Sequence, residues 1–135
     1  MMTLFDAPSR EVSCVKRSRT STPTQSLALL NEIQRLESAR MLGQRLLREA
    51  KDDTERLDLL FTLLTCRKPT KDERAACLKL LETLMKRYQS NVNDAQSLLA
   101  VGSVPRDQKL NPALHAAWMQ VSITVLASDL ALWVY

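Results

Sequence analysis

The stretch NPALHAAWMQVSITVLASDLALWVY, Asn111–Tyr135, decides the fold. Asn111 followed by Pro112 starts a helix: the Asn side chain can accept an orphan amide, and proline in the first turn has no amide to satisfy. From Ala116 to Tyr135 the chain runs through twenty mostly apolar residues and ends with Trp133 and Tyr135. That length would span a bilayer, and aromatic residues favour its interfaces. Gln120, Ser122, Thr124, Ser128 and above all Asp129 weigh the other way, since a carboxylate costs about 3 kcal/mol at mid-membrane. A helix apolar nearly all round is also what the middle of a bundle requires. The reading is therefore a core helix running to the C-terminus, with membrane contact through residues 116–135 as the less favoured alternative.

A core helix needs others around it, and the chain upstream supplies them. Thr70-Lys71-Asp72-Glu73 is a capping box, in which Thr70 accepts from the amide of Glu73 and Glu73 reaches back. The helix behind it turns Cys77, Leu78, Leu81, Leu84, Met85 and Tyr88 inward. Before it, Leu57, Leu60, Phe61 and Leu64 form a stripe at helical spacing. That helix follows the break Asp52-Asp53-Thr54 and stops at Arg67-Lys68-Pro69, because proline disfavours helical geometry in the residue before it. Further upstream, Thr22-Pro23 opens a short helix through Leu30. Asn31 is then expected to cap a longer one, whose face holds Leu36, Ala39, Gly43, Leu46, Leu47 and Ala50. Asn93–Val101 reads as a short helix and Gly102–Leu110 as a loop. Among 135 residues only two are glycine, while Trp, Tyr and Phe occur twice each. Few residues interrupt helix, and no strand pattern competes. The expected fold class is all-α, an irregular bundle of about six helices over residues 22–135, preceded by an extended polar segment over residues 1–21.

Little points to catalysis. The single histidine, His115, falls in the first turn of the last helix, and no motif pairs it with a nucleophile or carboxylate. It is read as a partly exposed helix-start residue. Cys14, Cys66, Cys77 and His115 show no zinc-binding spacing, and the CxxCH of a covalent haem site is absent. With only Gly43 and Gly102 available, no glycine-rich phosphate loop can form. The expectation is no catalytic, cofactor-binding or metal-binding residue and no cofactor. The net charge of +4, from 19 basic and 15 acidic residues, is a mild excess. Its densest part, Lys16-Arg17-Ser18-Arg19, is short, lacks an aromatic platform for bases, and has Asp6 and Glu11 nearby. Ion pairing is favoured over nucleic acid there. Met1–Ala7 lacks the basic start and apolar run of a secretory signal, so none is expected, and the thiols are expected to be mostly reduced and buried.

Residues 1–21 sustain no apolar period and bring few large apolar side chains, so alone they cannot offset the entropy of ordering. Yet the block FDAPSREVSCVKRSRTSTPTQSLALLN, Phe5–Asn31, is the most distinctive in the chain. It resembles the start of the C-terminal domain of unknown function (family 1553) of planctomycete-type cytochrome-domain-associated proteins. Phe5, Asp6, Pro8, Cys14, Lys16-Arg17, Thr20, Pro23, Gln25, Leu27, Leu30 and Asn31 stand at that pattern's positions. Arg67-Lys68-Pro69-Thr70 with Glu73, Leu98-Leu99 through Gly102, and Trp118 are similar as well. Ser26 replaces a usual Ala, and Ala127-Ser128-Asp129-Leu130 keeps only the Asp of a closing Asn-Leu-Asp-Glu.

The resemblance implies long, exported or periplasmic proteins whose upstream domains often include a cytochrome c module, with this chain matching their C-terminal piece. It also implies that the polar segment crosses from a preceding domain into the bundle. The candidate junction or binding residues are then Phe5, Asp6, Arg10, Glu11, Arg17, Arg19, Gln25 and Asn31, and the implied partners are the upstream domains. The functional expectation is a non-catalytic structural or interaction module of such a protein. Two alternatives stay open: a module lining the site of a redox or carbohydrate-acting enzyme, and a small basic nucleic-acid-binding protein. Convergence of Asp6, Arg10 and Arg17 in a concave pocket would favour the first of these.

Overall fold

A computed structural model describes residues 22–132, and within them the chain is helical with no strand. The helices are α1 (Pro23–Asn31), α2 (Ile33–Glu49), α3 (Asp53–Thr65), α4 (Lys71–Ser90), α5 (Val92–Leu99), α6 (Pro112–Leu126) and the single turn α7 (Asp129–Leu132). The expected starts at Pro23, Lys71 and Pro112 are the observed ones. At α1, Oγ1 of Thr22 accepts from the amide of Gln25 at 3.3 Å, and Oε1 of Gln25 accepts from the amide of Thr22 at 3.0 Å. Asp52 caps α3 by accepting from the Glu55 amide at 2.7 Å. The Thr70–Glu73 capping box of α4 is closed in both directions. Asn111 accepts from the amides of Ala113 and Leu114, at 2.9 and 3.3 Å. Each cap satisfies amides that have no partner inside their own helix.

α6 is the axis of the bundle. It packs against α2 along one side and against α4 and α5 on others, with α3 and α7 completing its surroundings; α1 lies on α2. Ala113, His115–Met119, Val121–Ile123 and Val125 are all buried, so the helix meets protein nearly all round. Around it gather Ala39 and Leu46 of α2, Leu57, Leu60 and Phe61 of α3, Leu81 and Tyr88 of α4, and Ala95 and Leu99 of α5. No helix among the described residues is long and apolar enough to cross a membrane.

Several details differ from the sequence reading. The described thiols, expected to be mostly buried, are not so: Cys66, at the left-handed C-cap of α3, is exposed and Cys77 is half-buried. The last helix does not run on to the C-terminus: α6 ends at Leu126, with Ala127 as its C-cap, and α7 begins at Asp129. The reason is partly local and partly tertiary. The Ser128 hydroxyl donates to the carbonyl of Val125 at 2.6 Å, offering the backbone an alternative partner, and Arg35 of α2 donates to the Leu126 carbonyl at 2.7 Å. The arginine satisfies a carbonyl left open at the helix end and places a cation at its negative pole. Nor does Asn31 cap α2. It closes α1, donating from Nδ2 to the Leu27 carbonyl at 2.8 Å, and Glu32 stands at the α2 N-cap without a side-chain bond.

Candidate functional site

One edge of α2 carries Glu37, Arg40, Gln44 and Arg48. Spacings of three and four residues place them in a row, beside the inward face of Ala39, Gly43 and Leu46. Opposite that row lies the irregular segment between α5 and α6. Such a segment has no ladder of its own, so its amides and carbonyls need partners from elsewhere. The row supplies them. Oε1 of Glu37 accepts from the amides of Ser103 and Val104, at 2.8 and 2.7 Å. Arg40 donates through Nη2 to the Val104 carbonyl at 2.5 Å. Gln44 accepts from the Asp107 amide at 2.9 Å, and Arg48 pairs with the Asp107 carboxylate at 2.6 Å. The chain can enter this arrangement because Gly102 sits at φ 99°, where a side chain would be strained and would collide with Glu37.

Arg40 is the centre of the row. It is 1% exposed, its Nη2 lies 3.6 Å from Oε1 of Glu37, and its main-chain carbonyl faces His115. Nε2 of His115 stands 3.0 Å from that carbonyl oxygen. A carbonyl can only accept, so the ring carries a proton on Nε2. Nδ1 of the same ring is buried and makes no hydrogen bond. His115 was expected to be partly exposed; it is fully buried, because α2 packs along α6 and the Arg40 carbonyl meets its ring, with Arg106 and Asp107 of the loop near enough for their charges to act on it. Burial pushes its pKa down and the bond to the Arg40 carbonyl pushes it up; the charges of Arg40 and Arg106 add to the lowering, Asp107 acts against them, and the net shift is downward. The two carboxylates at the ends of the row are held low. Bonds from the loop backbone, that of Val104 foremost, stabilise ionised Glu37, and Arg48 does the same for Asp107.

This arrangement binds chain to chain. Among the described residues no three His, Cys, Asp or Glu side chains are grouped to hold a metal ion. A groove of about 420 Å³ runs along the same helix between Met41, Leu42, Gln44, Arg45, Arg48 and Glu49. It is lined by that one helix and holds no histidine or cysteine.

Of the residues singled out from sequence, Gln25 and Asn31 lie in the described part of the chain. Gln25 is buried at the start of α1 and belongs to its capping box; Asn31 closes the same helix. Thr22-x-x-Gln25 has the capping-box pattern, so that role was open to reading. Phe5, Asp6, Arg10, Glu11, Arg17 and Arg19 lie outside the described residues, and so does the question whether Asp6, Arg10 and Arg17 converge in a pocket. The residues that sequence reasoning passed over are Glu37, Arg40, Gln44 and Arg48. Their signal was faint: a polar row at helical spacing along the border of an apolar face, which is ordinarily a solvated edge.

A sequence family described as "PSD1: Protein of unknown function (DUF1553)" matches residues 1–81. The matched part takes in the segment before α1, then α1, α2, α3 and the first half of α4. No curated protein and no solved structure matches the chain.

Proposed function

The chain belongs to the PSD1 (DUF1553) family, and from that premise we propose that it is a non-catalytic helical module, whose partner is a preceding domain of a larger exported protein. Segment 1–21, rich in the family's characteristic residues, forms the junction. One observation carries the reading: the α1–α2 corner immediately after that segment leaves Leu27 60% and Ile33 66% exposed. Burying two such side chains against a partner would contribute about 1.5–3 kcal/mol each. A domain reached through residues 1–21 meets this corner first. The inner polar groups support the same reading, because Glu37, Arg40 and Gln44 are spent on the protein's own loop.

The test uses the part of a longer family member that precedes this region, expressed as a separate polypeptide and titrated with the 135-residue chain. Binding is expected, together with loss of binding in a Leu27→Ser/Ile33→Ser double variant whose melting temperature is unchanged. Removal of residues 1–21 should weaken that binding while leaving the melting temperature of the bundle nearly unaltered. Absence of binding by the intact chain, or full binding by the double variant, sinks the proposal.

A further inference from the structure

The chain's only histidine is in contact with the helix that holds the segment, and Arg106 and Asp107 of that segment lie near enough for their charges to act on its ring. The groups form a continuous series. His115 on α6 donates to the Arg40 carbonyl on α2, the Arg40 guanidinium donates to the Val104 carbonyl, and Glu37 accepts from Ser103 and Val104. We propose that the segment Gly102–Leu110 is an acid-released latch, closed while His115 is neutral and opened when the ring takes up a second proton.

The physical reason lies at Nδ1. A proton added there would create a second donor where the ring makes no hydrogen bond, in a fully buried position. The charged groups acting on the ring are Arg40 from α2, and Arg106 and Asp107 from the segment itself; among the described residues α4 and α5 contribute none. Two of these three are cations and oppose a charged ring. The amino end of α6 adds a positive dipole pole and opposes it too. Asp107 cannot compensate fully, because its carboxylate is bonded to Arg48 and to the Lys109 amide. Relief comes from exposure, and of the elements whose groups act on the ring the segment is the least packed: Gly102–Pro105 are exposed, whereas the α2 and α6 faces are core.

The sign of the pH effect follows. With the segment open, the ring titrates near its ordinary 6.5, while closure holds the value lower. The open form therefore binds more protons, and the opening equilibrium rises as pH falls below about 6.5, by up to about tenfold per pH unit. Glu37 and Asp107 titrate only at more acid pH, so the range from pH 7 to 5.5 isolates the histidine.

The experiment is amide hydrogen exchange on the full chain between pH 7 and 5.5, corrected for the intrinsic rate, read at Ser103, Val104 and Asp107 with α4 amides as reference. The expected result is loss of protection at the three segment amides as pH falls, with α4 unchanged. In His115→Gln, which keeps a donor for the Arg40 carbonyl and cannot titrate in this range, the pH dependence should vanish. Independently of any variant, the ring C–H resonance of the single histidine should titrate below 6.5. Segment protection that does not change with pH overturns the proposal. So does equal loss in α4, which would mean global unfolding, or a pH dependence that survives in His115→Gln.

Discussion

Gly43 of α2 faces the backbone of Met119 on α6 so closely that a Cβ at position 43 would lie 3.1 Å from the Met119 nitrogen and 3.3 Å from the Trp118 carbonyl carbon. The two helices with the most intimate contact in the bundle thus meet where one has no side chain. Backbone cannot yield as a flexible side chain can. Crowding it costs about 1–3 kcal/mol, against a gain of about 0.5–1 kcal/mol from replacing glycine by alanine inside a helix. Gly43→Ala is therefore expected to lose about 1 kcal/mol net in urea denaturation, and Gly43→Val several times more. A stabilised Gly43→Ala protein would show that the helices part at no cost.

Ser122, on α6, gives the opposite expectation. Its hydroxyl is buried and makes no hydrogen bond. Removing such a group relieves a desolvation cost and leaves almost no void. Ser122→Ala should be neutral or more stable, by up to about 1 kcal/mol. A clear loss of stability would mean that the hydroxyl is bonded.

Arg40 lies almost wholly out of solvent and holds Val104 while facing Glu37. Arg40→Met keeps most of the buried stem but leaves the Val104 carbonyl without its donor. The expected loss is about 2–3 kcal/mol, below that of a fully buried broken ion pair because Glu37 keeps its backbone donors and some solvent. Limited proteolysis should then cut first between residues 102 and 110, and cleavage elsewhere would contradict the role given to the arginine.

At the start of α4, Thr70→Ala removes the acceptor for the Glu73 amide and should cost about 1 kcal/mol, measured as a shift of the urea midpoint. Glu73 itself is held at about 2, chiefly by hydrogen bonds from the Arg67 guanidinium, which is bound at 2.6 and 2.8 Å. A carboxyl lowered in this way stabilises the fold fully above its ordinary 4.5 and loses that contribution as pH falls from 4.5 toward 2. Acid titration of stability should thus be shallower in Glu73→Gln than in the parent chain over that interval. Identical slopes would mean that the Arg67–Glu73 pair contributes nothing in solution.

The sequence by itself determined the class of the fold, because helix starts are local chemistry. Thr22-Pro23, Thr70 with Glu73, and Asn111-Pro112 each satisfy their own amides within two or three residues, and no distant part of the chain is needed to read them. The apolar spacing in α3 and α4, and the nearly continuous apolar run of α6, likewise announced which faces turn inward. Tertiary structure shared in deciding where α6 stops, since beside the local bond of Ser128 the Leu126 carbonyl is met by Arg35, 91 residues away along the chain; other features it decided alone. It alone decided that His115 is buried: nothing near position 115 shows that α2 will pack against it. Pairing of the polar row on α2 with backbone more than 60 residues distant is invisible for the same reason. A charged residue on the border of a helical stripe looks the same whether water or a loop will face it, and which of the two it meets is settled only when the helices pack.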